Sequence, residues 1–287
     1  MYPETILPIV AHIPHAGTEI PDAARHQFLA HPEELRREIV SVTDWYTDEL
    51  FGMPGIAVSQ TPINRVVVDL ERYADDNVEE KSAFGQGVIY THNTQGRQIR
   101  GELSESARRH LLDNYYRPWH LHLELGIEQQ LERWGHCLLL DCHSFPDEPF
   151  GHEEDHGLSR PDICLGINTL NTPGWLVEAC SNHFLSRGYT VDIDSPYVGC
   201  LVPNRFQGDA RVPAIMIEIN RRLYMKSHNR DACKPGSPPS KLPSFDSLKN
   251  NIWSAMLSLS AVTACMVGAA DPSTNRAPNH NPASIEP

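Results

Sequence analysis

The sequence predicts an α/β fold in one large domain, on three observations. Short continuous apolar runs, such as Leu138-Leu139-Leu140, stop abruptly at polar residues, as strands buried on both faces of a sheet do. Longer stretches with apolar residues at helical spacing stand between those runs. The two kinds follow one another along the chain, so the helices cover a sheet.

The elements come in this order. Residues 5–13 form an apolar run that stops at Pro14-His15-Ala16-Gly17, a buried strand ending in a tight loop. From Ala30 to Phe51, the positions Leu35, Ile39, Val42, Trp45 and Leu50 predict a helix in two pieces. Residues 64–72 combine a Val66-Val67-Val68 centre with charged ends, which reads as a short strand whose tips carry function. Residues 73–101 read as irregular, with several glycines and few apolar anchors.

Helical spacing returns from Ser104 to Trp134, through Leu111, Tyr115, Trp119, Leu123 and Leu131, with Pro118 marking a break or kink. The run from His136 to His143 is a central strand. Further strands are expected at Ile163–Gly166, Tyr189–Ile193 and Ala214–Ile219, and helices at Gly174–Arg187 and Phe245–Met266. No internal Pro-, Gly- or Ser-rich linker separates halves, so residues 1–270 form the domain and 271–287, rich in Pro, Asn, Ser and Ala, a disordered tail.

Composition narrows the function. A formal net charge of −13 excludes a partner that presents a phosphate backbone, because such partners require clustered Lys and Arg. Seven cysteines with no CxxC pair fit a reduced cytoplasmic protein better than a disulfide scaffold. No apolar run reaches membrane-spanning length and no signal peptide is recognisable, so the expectation is a cytoplasmic protein with no membrane partner.

Fifteen histidines occur, and position singles out two. His15 and His143 each follow a buried strand, where ligands collect in α/β sheets. Neutral imidazoles there can hold one zinc ion, which in hydrolases takes three protein ligands and leaves a place for water. The third is a carboxylate, Glu19 or Asp44. Glu218 interrupts the apolar strand Ala214–Ile219, an expensive place for a carboxylate unless a charge compensates it, so it is the candidate general base. Arg65 and Arg72 can hold an oxyanion or a substrate carboxylate, and Asn220-Arg221-Arg222 offers a further cationic group.

In order along the chain, Pro14-His15-Ala16-Gly17-Thr18, Thr43-Asp44-Trp45, Arg65 through Arg72, Tyr116-Arg117-Pro118-Trp119-His120, Asp141-Cys142-His143-Ser144, Asp162 through Gly166 and Glu218-Ile219-Asn220-Arg221 resemble the N-formylglutamate amidohydrolases. The resemblance runs from about residue 9 to 225. That family is similar in turn to the zinc carboxypeptidase and aspartoacylase group, which implies a three-layer α/β/α sandwich around a mixed, largely buried sheet. It also implies His15, His143 and an acid as zinc ligands, Glu218 as base, Arg65 beside it, and Arg72, Asn204 and Arg221 on the substrate side. The group's His-x-x-Glu spacing would put the acid at Thr18, so the Thr43-Asp44-Trp45 element favours Asp44, with Glu19 in reserve.

The implied reaction is zinc-dependent hydrolysis of an N-formyl or small N-acyl amino acid, foremost N-formylglutamate to formate and glutamate, with that small molecule as a partner and the oligomeric state left open. One departure bears on specificity: the stretch between Asn204-Arg205-Phe206 and Glu218 is shorter than in formylglutamate-hydrolysing members. The alternatives are a zinc carboxypeptidase or amidase acting on short peptides, and a non-catalytic metal-binding protein on the same fold.

Overall fold

A computed structural model describes residues 5–151, 153, 159–226 and 238–270, without the side chains of the last two. The strands are β1 (Ile9–Ile13), β2 (Ala57–Gln60), β3 (Leu138–Phe145), β4 (Ile163–Gly166), β5 (Val191–Ile193) and β6 (Ala214–Asn220). The helices are α1 (Asp22–Arg25), α2 (Pro32–Val42), α3 (Thr47–Phe51), α4 (Glu105–Leu111), α5 (Arg117–Trp134), α6 (Gly174–Leu185) and α7 (Phe245–Ala270).

One sheet of six strands runs in the order β2-β1-β3-β6-β4-β5. β2, β1, β3 and β6 are parallel, whereas β4 pairs antiparallel with β6 and carries β5 beside it. The sheet is therefore mixed, as expected. Strand alternation divides the interior into two cores. Ile9, Ala11, Leu138, Leu140, Cys142, Ile215 and Ile217 face one way and pack with α3, α6 and α7. Val10, Leu139 and Ala214 face the other, against Trp119, Leu123 and Ile127 of α5. Further along each strand on this second face stand His12, Asp141 with His143, and Glu218, all buried.

The expected strand at 64–72 does not form. Its backbone is spent elsewhere: Val66 and Val67 carbonyls accept from the buried guanidinium of Arg100 at 3.1 and 3.2 Å, and Asp69 N–H donates to Val88 O. Asn64 and Asp69 side chains accept from the N–H groups two residues on, which favours turns over a ladder. The valines are buried without pairing. The edge strand β2 was not foreseen, being short and half-exposed. Residues 73–101 are largely irregular, with one 3-10 turn at Glu80–Phe84, but Val88, Ile89, Tyr90 and Ile99 anchor them in the core.

The helix expected over 30–51 is two pieces, broken at Thr43–Tyr46. Pro32 opens α2, and Thr43 is extended and closes it. Tyr46 adopts a left-handed φ of 66° just before α3. Between α4 and α5 the chain makes one π turn, Leu112–Tyr116, in which Arg117 N–H reaches Leu112 O. Pro118 sits just after it, in the first turn of α5.

The expected tail, 271–287, lies outside the described residues. α7 corrects the membrane reading: Phe245–Gly268 is long and apolar enough to span a bilayer by length and composition. Here one face of it, through Leu248, Ile252, Ala255, Met256 and Leu259, is buried in the core beneath the sheet.

Candidate active site and metal centre

The loop after β1 and the break between α2 and α3 are tied together. Asp44 N–H donates to His15 O at 2.9 Å, and Asn64 Nδ2 donates to Gly17 O and Thr43 Oγ1. Gly17 lies so close to the Pro62 backbone that a Cβ would come within 2.5 Å of it, so no other residue fits. These ties bring Asp44 to His15 and, across the sheet, to His143 at the end of β3. Asp44 Oδ2 lies 3.3 Å from His143 Nδ1 and 3.8 Å from His15 Nδ1. One ligand atom from each of the three falls within 4.8 Å of the others, and all three residues are buried.

The outer nitrogens are held too. His15 Nε2 stands 2.9 Å from Asp69 Oδ1, and His143 Nε2 stands 2.8 Å from Asp141 Oδ1. Burial alone would raise both carboxyls, but Arg65 and His15 around Asp69, and His143 and His12 around Asp141, outweigh it and keep them ionised. An ionised carboxylate only accepts, so each Nε2 donates to its acid, and a cation seated beside Asp44 Oδ2 would take the place of any proton on Nδ1. That is how metal-binding histidines are usually oriented. Asp44 Oδ1 accepts from Arg221 at 2.8 Å.

The donor set therefore fits a divalent cation: two imidazole nitrogens and a carboxylate oxygen, each with its second atom engaged. Charge agrees. Asp44, Asp69, Glu71 and Asp141 crowd the site against Arg65, Arg72 and Arg221, and the carboxylates, chiefly Glu71 and Asp141, hold the His143 imidazole well above its ordinary range despite burial.

A cavity of about 390 Å³ opens on this cluster, lined by His15, Asp44, Arg65, Arg72, His143 and Glu218 among others. Glu218 pairs with His143 across β3 and β6 and is 8% exposed, its Oε2 without a hydrogen-bond partner. Burial pushes its carboxyl up to about 8. Arg65 sends Nε and Nη2 to Asp69 Oδ2, at 2.9 and 2.7 Å. Arg72 stays 3.9 Å from both Asp69 and Glu79, and its buried Nε has no partner.

Three of the expected residues sit elsewhere or are otherwise engaged. Asn204 is exposed at the start of a 3-10 turn and is not among the residues that line this cavity. Arg221 lines the cavity, but its donors go to Asp44, Ser144 and Ser41 O, which makes it a support for Asp44. Glu19 is exposed and its backbone bridges to Ile63, outside the metal-ligand group.

Sequence reading passed over Asp69 as an orienting group, along with Tyr90, which donates to Asp69 Oδ2 at 3.0 Å, and Glu71. Tyr197 and Glu153, hydrogen-bonded at 2.7 Å, close the far wall and were missed as well. Asp69 had a visible signal, an acid amid buried valines. Tyr90 and Tyr197 had none.

Comparison with known proteins places this geometry in context. The family model of the N-formylglutamate amidohydrolases matches residues 7–225. An N-formylglutamate deformylase from Pseudomonas putida is 27% identical over 232 residues, 77% of this chain and 82% of that protein. The solved N-formylglutamate amidohydrolase of Ralstonia eutropha shares the fold with a TM-score of 0.73 at 24% identity, covering 94% of this chain and 96% of that one. A gene product of Agrobacterium tumefaciens shares it at 0.61 and 18% identity, covering 89% and 92%.

Proposed function

Because the chain belongs to the N-formylglutamate amidohydrolase family, we propose that it hydrolyses the amide of an N-formyl or other small N-acyl amino acid, foremost N-formylglutamate to formate and glutamate. The observation that carries the reading is the convergence of His15 Nδ1, Asp44 Oδ2 and His143 Nδ1 on the cavity that Glu218 lines. Those three residues would hold one zinc ion, which when bound supplies a Lewis acid that acidifies water and polarises a carbonyl.

Glu218 takes the proton of the attacking water and returns it to the departing amino nitrogen, so that water is divided between formate and the freed amine. Its buried position keeps the carboxyl reluctant to ionise, and a cation held by His15, Asp44 and His143 would oppose that preference. Arg65, fixed through Nε and Nη2 by Asp69, has Nη1 left to meet the developing oxyanion. Arg72, its Nε unpartnered, suits the substrate carboxylate. The six described cysteines are free thiols, which supports a cytoplasmic setting.

The test is formate release from N-formylglutamate together with metal content, across formyl, acetyl and succinyl amino acids and short peptides. His143→Ala should lose both metal and turnover; full activity in that variant would refute the scheme. One observation favours peptides as a second reading: a neighbouring cavity of about 580 Å³ shares Gln86 and Thr94 with the first, leaving room for a longer substrate. Faster cleavage of a dipeptide than of any acyl amino acid would establish it.

A further inference from the structure

Behind His143, on the side away from Asp44, the donor atoms of four side chains meet from three different parts of the chain. His12 Nδ1 on β1 lies 2.8 Å from Asp141 Oδ1 and 3.2 Å from Glu71 Oε1. His143 Nε2 lies 2.8 Å from the same Asp141 Oδ1 and 3.4 Å from Glu71 Oε2. Two imidazole nitrogens thus alternate with two carboxylates.

Hydrogen bonding does not satisfy this group. Each ring nitrogen that faces it carries at most one hydrogen, and both have Asp141 Oδ1 as their nearer acceptor. Glu71 Oε1 is then left buried with no hydrogen-bond partner, although Asp141 Oδ2 is already served by Leu201 N–H at 2.8 Å. A carboxylate oxygen buried without a donor is costly, and a cation among these four side chains would remove the deficit. The spacing suits one. Nitrogen and oxygen ligands at about 2.1 Å from a tetrahedral ion stand about 3.4 Å apart, so the cage needs only slight expansion.

We propose that His12, Glu71 and Asp141 form a second divalent-cation site, with the ring of His143 lying between this site and the one at His15 and Asp44. Two nitrogens and two oxygens favour zinc, cobalt or manganese over magnesium or calcium, which prefer more oxygens. His12 and Asp141 are fully buried, while the Glu71 side chain is 14% exposed and lines the substrate cavity, so ions reach the site past Glu71. Occupancy draws Glu71 away from a substrate carboxylate that it would otherwise repel. His143 Nε2 stands at the fourth corner. The inference rests in part on the proposed function, because the two sites share His143.

The test counts ions. Metal-free protein is saturated with zinc, freed of excess, and its zinc and chain concentrations measured for wild type, Glu71→Gln and Asp44→Asn. The expected result is two ions per chain in wild type and one in each variant. Glu71→Gln keeps the shape of a partly exposed side chain, and a thermal melt of the metal-free forms verifies folding. One ion that survives Glu71→Gln and is lost in Asp44→Asn overturns the second site and leaves the first standing. One ion with the opposite sensitivity supports the deeper cage and removes the first site instead. No ion in any form overturns both.

Discussion

The two faces of β3 differ in what they bury. Leu138, Leu140 and Cys142 point into the core beneath α3, α6 and α7, where hydrophobic packing does the stabilising. Leu139, Asp141 and His143 point toward α5, and only the first of them is apolar. One strand of eight residues thus serves as a core strand on one side and as an active-site wall on the other. The α7 side can be close-packed because it need not admit anything. The α5 side must keep charged groups buried, so it trades packing for carboxylate–imidazole pairs and carries the strain of unpartnered atoms at Glu218 and Glu71.

Substitutions on the two faces should separate activity from stability. The largest effect is expected from Glu218→Gln on the α5 side. It should lower kcat by about 10²–10⁴, as loss of a general base does, while metal content stays unchanged. A fall in bound metal equal to the fall in rate would reassign Glu218 to the metal. Leu140→Ala, on the opposite face of β3, should cost about 2–5 kcal/mol in urea unfolding and leave the rate per folded molecule intact. A loss of turnover in fully folded Leu140→Ala would mean that the two faces are not independent. Asp69→Asn removes the carboxylate that orients His15 and should weaken metal binding about 10–100-fold, read by competition with a chelator. Unchanged affinity would show that the loop alone fixes His15.

The smallest effect concerns pH. Burial brings His120 of α5 down to about 4, whereas an unfolded histidine titrates near 6.5. Between those values the unfolded chain binds a proton that the folded chain does not. Stability should therefore fall as pH drops from about 6.5 to 4, by about 3 kcal/mol for this group, with no contribution above pH 7. His120→Asn should flatten that part of the wild-type curve. A variant curve parallel to wild type across the window would show that His120 titrates normally in the fold.

The fold class, the family and the central strands were legible because they are written locally. A run such as Leu138-Leu139-Leu140 followed by Asp141-Cys142-His143 states both burial and chemistry within six residues. What escaped was written at long range. The strand expected at 64–72 failed because Arg100 takes the carbonyls of Val66 and Val67 from a distance of more than thirty residues. Arg221 looked like a free strand-end cation until Asp44, 177 residues away, proved to be its partner. Asp44 and Glu19 could not be separated by their neighbours, since the choice depends on where the break between α2 and α3 points. The resemblance favoured Asp44, and the fold brings that residue to the two histidines.

The π turn at Leu112–Tyr116 has a consequence for how this site can change over time. Tyr116 Oη donates to Arg72 O at 2.9 Å, fastening the arginine-bearing loop to the first turn of α5. A π turn holds one residue more than the α-helical turn it replaces, so it acts as a phase shifter between α4 and α5. Loss of any single residue there would restore regular winding and rotate everything upstream by about 100° relative to α5. A one-codon deletion here therefore shifts the Arg72 loop relative to α5 without touching a residue of the cavity.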